Sequence, residues 1–142
     1  MPIDQPEFCD LVCFNLYQGW RRIQAIYRQA FPEGVTPPRA YLLCACGPGE
    51  ATTVTSLLAV MGLDAAAMSG LLGRLEADRL LTRSVNPHDR REVLVTLTGA
   101  GVRLREQCLT ALRGADQMLR EQIDDRDAEG LKTVVDQLGR IT

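Results

Sequence analysis

The chain has 142 residues, 46% of them hydrophobic and 24% charged, with 16 basic against 18 acidic side chains for a net charge of −2. That length sets one domain, or one domain plus oligomerisation helices, with enough apolar residues to bury a core. The slight acidity excludes a protein that holds nucleic acid by bulk electrostatics. No apolar run approaches a membrane span and no basic segment precedes an apolar one at the N-terminus, so the cytoplasm is the expected compartment.

In chain order, Pro2 to Pro6 is an irregular lead-in, and Phe8 to Ala30 is predicted as one helix with Leu11, Phe14 and Leu16 early and Ile23, Ile26 and Tyr27 later. Gly19 weakens its middle. Phe31 to Pro38 reads as a turn with three prolines. The paired prolines suit the start of the next helix, Arg39 to Cys46, because the first turn leaves its N–H groups unbonded anyway. The run GPGEA closes it. Val54 to Met61 is a short apolar helix, Gly62 and Leu63 make a turn, and Asp64 stands at an N-cap before a second helix, Ala65 to Arg79.

In that second helix Met68, Leu71, Leu72 and Leu75 form one buried stripe, leaving Ala66, Ser69, Gly70, Gly73, Arg74 and Ala77 outward. Each glycine inside a helix costs roughly 1 kcal/mol relative to alanine, so two of them on an outward face point to a close approach by something outside. The runs LLTRSV and REVLVTL flank the turn NPHDR and predict a hairpin whose tip carries Arg90 and Arg91. Thr98 is a plausible N-cap for a long helix to about Ile123, with Val102, Leu104, Leu109, Leu112 and Leu119 among its apolar positions. Asp124 to Asp127 should break it before a last helix, Ala128 to Leu138.

The pattern is mainly α with a small β-hairpin wing: a winged helix-turn-helix at 37–98, flanked by dimerisation helices at 1–36 and 99–142. A helix-turn-helix followed by a cationic hairpin places one helix in the major groove and a wing on the minor groove or backbone. Charge is segregated accordingly. Arginines 74, 79, 83, 90 and 91 outnumber Glu76, Asp78 and Asp89 by two, whereas six acids between Glu121 and Asp136 face only Arg126 and Lys132. Apolar helices at both ends exceed what one winged core can cover, so they are expected to meet across a two-fold axis; folding back within one monomer is the alternative.

Five cysteines are an odd number and do not make a disulfide framework in a cytoplasmic chain. Cys44-Ala45-Cys46 lacks a second cysteine pair and the sole histidine, His88, belongs to the wing, so neither a metal nor a cofactor is expected. Cys44, Cys46 and Cys108 read as small buried hydrophobes.

The string LDAAAMSGLLGRLEADRLLTRSVNPHDRREVLVTLTGAG resembles the MarR family of bacterial transcription regulators. The resemblance rests on Leu63-Asp64, Arg74-Leu75-Glu76, Leu80-Leu81-Thr82-Arg83, Asp89 with Arg91, and Leu97-Thr98 followed by Gly101. It implies an obligate homodimer on a pseudo-palindromic double-stranded DNA operator. The implied DNA-facing residues are Ala65, Ala66, Ser69, Gly70, Gly73, Arg74, Arg83, Asp89, Arg90 and Arg91. The recognition helix is richer in Ala and Gly than is usual in the family.

Cys13-Phe14-Asn15-Leu16-Tyr17, with Tyr27 further on, looks like the sensing segment of the organic-hydroperoxide-sensing, OhrR-like branch of that family. That likeness implies oxidation of Cys13 to a sulfenic acid with the hydroxyls of Tyr17 and Tyr27 bonded to it. Where the branch has further tyrosines this chain has Pro37 and Ala40, with Tyr41 nearby. Tyr27 lies 14 residues beyond Cys13, about 21 Å along a straight helix, so it can reach only the Cys13 of an antiparallel partner. The helix macrodipole and tyrosine donors would favour the reactive thiolate at Cys13, while Asp10 opposes it. Cys9, one turn earlier on the same face, is too constrained on an intact helix to pair with Cys13, which leaves Cys108 or a small-molecule thiol as partner. Two other classes remain: a repressor released by a small aromatic or lipophilic effector, and a thiol peroxidase, which would need an activating His, Asp or Arg constellation around Cys13 that the sequence does not offer.

Overall fold

A computed structural model describes residues 6–142, so the expected lead-in lies outside the described residues apart from Pro6. The elements run α1 (Pro6–Cys9), α2 (Val12–Ala30), α3 (Pro37–Ala45), β1 (Thr52–Thr53), α4 (Val54–Met61), α5 (Ala65–Ala77), β2 (Leu81–Asn86), β3 (Asp89–Leu97), α6 (Gly99–Gln122) and α7 (Asp125–Leu138).

The single N-terminal helix expected over 8–30 is two helices. Leu11 is extended, with ψ 131°, and the Asn15 side-chain amide donates to the carbonyls of Cys9 (2.8 Å) and Leu11 (2.9 Å). Asn15 thereby satisfies the Cys9 carbonyl, which a continuous helix would have paired with backbone, while the Leu11 carbonyl also keeps the Asn15 backbone N–H at 3.0 Å, and the Phe8 ring packs 4.5 Å from that of Phe14. Cys9 and Cys13 therefore do not share one face of an intact helix. Gly19 sits inside unbroken α2.

Pro37 and Pro38 open α3 as expected, two residues earlier than the sequence suggested. Thr53 serves twice, pairing with Leu94 on β3 and accepting from the Ser56 N–H at 3.0 Å as the N-cap of α4. The strand β1, unforeseen in the sequence, converts the hairpin into a three-stranded antiparallel sheet of order β1-β3-β2. Gly62 takes φ 64°, the left-handed conformation of a helix C-cap, and the chain turns through 114° between α4 and α5. Asp64 caps α5 through the Ala67 N–H at 2.7 Å.

α5 ends two residues before Arg79 because Arg79 itself turns left-handed, at φ 59°. The Arg79 and Leu80 N–H groups return to the carbonyls of Glu76 and Leu75, both at 2.9 Å, closing a Schellman motif. A two-residue turn, Pro87-His88, joins β2 to β3, with the Asn86 side chain accepting the His88 N–H at 2.9 Å. The acids read as a break after α6 are the opening turn of α7. Asp124 accepts from the Asp127 N–H at 2.8 Å, and Asp125 and Asp127 face the positive end of the helix dipole.

The core lies where α3, α4, α5, the sheet and the first half of α6 meet, with Leu42, Leu43, Leu57, Met68, Leu75 and Val95 at most 1% exposed. The chain ends differ. Phe8, Leu11, Val12 and Trp20 near one end, and Met118, Ile123, Leu131, Val135 and Leu138 near the other, are exposed. Among the described residues no single helix is long and apolar enough to cross a membrane.

Candidate nucleic-acid interface and sensing thiols

The four residues predicted as the α5 stripe, Met68, Leu71, Leu72 and Leu75, are all buried. This fixes the rotation of the helix, so Ala65, Ala66, Ser69 and Arg74 are exposed on its other side and Gly70 and Gly73 half-exposed. A Cβ added at Gly73 would meet nothing within 4 Å, and one at Gly70 only the Arg74 guanidinium at 3.5 Å. Nothing inside the chain requires glycine at either position.

On the wing, Asp89 accepts from the Arg91 backbone N–H at 3.1 Å and from its guanidinium at 3.1 and 3.3 Å. The Arg91 side chain is nonetheless 91% exposed, so it is oriented without being buried. Hydrogen bonds from Arg91 hold the Asp89 carboxyl below the usual carboxylate range. Arg90 is exposed beside it. Arg83, expected among the DNA contacts, donates to Glu76 at 3.0 and 3.3 Å and ties β2 to α5. That pairing lowers the Glu76 carboxyl, chiefly through the side-chain hydrogen bond.

The break before α2 puts Cys13 at the second residue of a helix, exposed. Tyr17, one turn on, is also exposed, and the Arg21 guanidinium carbon lies 5.9 Å from its ring centre. Arg21 brings positive charge near this turn, a neighbour the sequence reading did not weigh. Tyr27 is buried, stacked on Phe31 at 4.6 Å, and its hydroxyl lies 2.7 Å from that of Tyr41. Burial first, and the bond to Tyr27 second, push the Tyr41 hydroxyl well above its usual range. Cys46 and Cys108 are core residues, as their reading as hydrophobes expects, whereas Cys44 is half-buried. Burial raises all three thiols, Cys46 and Cys108 to about 11. Among the described residues no cluster of metal-ligating side chains occurs.

Sequence reasoning also missed Arg39. Its guanidinium donates to the Gly34 carbonyl at 3.3 Å and to the carboxylate of Asp78, the C-cap of α5, fastening the loop before α3 to the end of α5. The partners lie 5 and 39 residues away along the chain, and no local spacing announces the second.

Two helices at a sharp turn, a three-stranded sheet and a projecting cationic hairpin define a winged helix-turn-helix of the DNA-binding kind, with α5 as recognition helix. Residues 33–92 match the profile of the MarR family, and the chain is similar to transcription regulators of that family. It is 29% identical over 99 residues to the organic hydroperoxide resistance transcriptional regulator of Bacillus subtilis, covering 69% of this chain and 67% of that protein. It is 34% identical over 77 residues to the multiple antibiotic resistance protein MarR of Escherichia coli, a match spanning about half of each chain, 54%. The fold superposes on Bordetella bronchiseptica BpsR, whose DNA binding is regulated by 6-hydroxynicotinic acid, with a TM-score of 0.74 and 27% identity, over 90% of this chain and 98% of that one.

Proposed function

We propose that this protein is a homodimeric cytoplasmic repressor that grips a pseudo-palindromic operator and lets go when Cys13 is oxidised by an organic hydroperoxide or a similar oxidant. The observation that carries the DNA half is the pairing of an unobstructed α5 face with an exposed, Asp89-oriented Arg91 on the wing. In a dimer with recognition helices about 34 Å apart, both enter successive major grooves while each Arg91 reaches a minor groove. Ala65, Ala66, Ser69, Gly70, Gly73, Arg74 and Arg90 complete the contact face. The exposed apolar residues at both chain ends supply the surface that a two-fold partner buries.

The redox half is supported by the position of Cys13. It is exposed in the first turn of α2, where an oxidant can reach its sulfur, and the Bacillus subtilis relative carries a hydroperoxide-resistance name. A partner's Tyr27, steadied by Tyr41, would complete the site. Oxidation adds a polar oxygen where a thiol sat and disturbs the seam that sets the spacing of the recognition helices. The test is to titrate operator-bound protein with an organic hydroperoxide, in wild type and Cys13→Ser. Release of the wild type alone is expected, and release of both at the same dose overturns the redox half.

A cleft of about 570 Å³ lined by Gln24, Tyr27, Arg28, Phe31, Glu33 and Val35 favours a second reading, release by a small aromatic effector. The BpsR likeness points the same way. In that case induction persists in a chain with Cys13 replaced.

A further inference from the structure

Four of the five cysteines have no part in the proposed sensor, and two of them, Cys44 and Cys108, meet across one seam. The C-terminal end of α3 carries Cys44 and its C-cap Cys46, and α6 packs along it. The register of the two helices is fixed by Arg105 on α6, whose Nε donates to the Cys46 carbonyl at 2.9 Å while its own carbonyl lies 4.0 Å from the Cys44 Sγ. Cys108 follows Arg105 by three residues. In an α-helix the side chain at i+3 stands over the carbonyl of residue i, because every Cα–Cβ bond tilts toward the N-terminus. The Cys44 sulfur touching the Arg105 carbonyl is therefore in the same layer of the seam as the Cys108 side chain.

The geometry points to Cys44 and Cys108 as a second, intrachain redox site, which an organic hydroperoxide converts to a disulfide stapling α3 to α6. The two thiols are unlike in access. Cys44 is half-buried and reachable from solvent, whereas Cys108 is fully buried and reacts only with a neighbour. Burial raises the Cys44 thiol, with Arg105 and Arg113 opposing the shift and Glu106 adding to it, so access from solvent is what makes Cys44 the attacking thiol.

Its sulfur, as thiolate, attacks one peroxide oxygen. An S–O bond forms as the O–O bond breaks, and the alcohol leaves with a proton. The Cys108 sulfur then displaces the sulfenic hydroxyl, an S–S bond forms, and water departs with the Cys108 proton. Two thiols lose two electrons in all, and the hydroperoxide gains them. Cys46 takes no part. Its carbonyl is held by Arg105, and it lies two residues beyond Cys44, on another side of α3. Because α3 belongs to the winged unit and α6 runs out of it toward the exposed C-terminal helices, the staple joins the reading head to the arm.

The experiment uses the full chain with Cys9→Ser and Cys13→Ser together. Both sites are exposed, so the core is untouched, and three of the five thiols remain. After cumene hydroperoxide, thiols counted in denaturant should fall from three to one and return with dithiothreitol, and peptide mapping should join Cys44 to Cys108. Three surviving thiols, a cross-link through Cys46, or Cys44 lost as sulfinic acid without a cross-link would each overturn the inference. Since Cys13 is absent, the outcome is independent of whether Cys13 governs operator release.

Discussion

The hydroxyls of Tyr27 and Tyr41 stand 2.7 Å apart, joining α2 to α3 beneath the stacked ring of Phe31. Each hydroxyl has one proton and two lone pairs, so Tyr27 can accept from Tyr41 and keep its own proton for another acceptor. Replacing Tyr41 with Phe removes the partner and keeps the ring. The expected result is a loss of about 1 kcal/mol in denaturant unfolding, with operator affinity in reducing buffer unchanged. A variant as stable as the wild type would show that the bond adds nothing net.

Arg91→Ala should weaken operator binding and reduce the salt slope of log K by about one contact's worth. A band-shift titration across salt concentrations measures both quantities, and unchanged affinity removes the wing from the interface. The partner residue reports the same contact. The paired Asp89 carboxyl is held low, so its contribution is complete above the ordinary carboxylate range and disappears as pH falls through the lowered value. In Arg91→Ala, NMR titration should find Asp89 back at an ordinary carboxylate value.

Two glycines separate folding from function. At Gly101 a Cβ would lie 1.9 Å from the Leu80 carbonyl oxygen, so Gly101→Ala forces α6 off the root of the wing and should cost on the order of 3 kcal/mol. Gly73→Ala meets open space in a helix and should stabilise by roughly 1 kcal/mol. If a groove wall approaches α5 there, the stabilised variant binds operator more weakly. Melting temperature and operator affinity then move in opposite directions, and an unaltered affinity shows that the DNA keeps its distance from Gly73.

Thiol reactivity should divide by burial. Iodoacetamide at neutral pH should label Cys9 and Cys13 first and reach Cys46 and Cys108 only on unfolding. Mass spectrometry of timed samples checks this order. Early labelling of Cys108 would mean that the α3–α6 seam opens.

The buried thiols also make a pH prediction. Cys46 and Cys108 are raised from 9.0 to about 11, so they stabilise the fold fully below the ordinary thiol value and lose that contribution as pH climbs toward 11. The melting temperature should fall across that alkaline window, and Cys108→Ala should make the fall shallower. An equal slope in the variant would place the alkaline sensitivity elsewhere.

Local chemistry made much of this molecule legible in its sequence. The i, i+3, i+4, i+7 spacing of Met68, Leu71, Leu72 and Leu75 set the rotation of α5, and Asp64 and Thr98 announced two helix starts through their capping side chains. What escaped depended on partners distant in the chain or on one side chain overruling periodicity. Asn15 breaks a run whose apolar spacing continues through it, and the brief strand Thr52–Thr53 exists only because β3 lies alongside. Asp124 to Asp127 looked like a stop because four residues held three acids, although the same acids favour a helix N-terminus. At the candidate site, Asp89 with Arg91 was readable at a separation of two residues, while Arg39 with Asp78 and Cys44 beside α6 needed the tertiary fold.

Thr98 does more than begin a helix. Its hydroxyl donates to the Arg79 carbonyl at 2.7 Å and accepts from the Gly101 N–H at 3.1 Å, while its backbone N–H donates to the Leu80 carbonyl at 3.0 Å. One residue thus welds the exit of the recognition helix, the root of the wing and the first turn of α6. A weld transmits torque where a flexible link would absorb it. A rotation of the long helix would therefore be passed on to the end of α5 and the base of the wing through these three bonds.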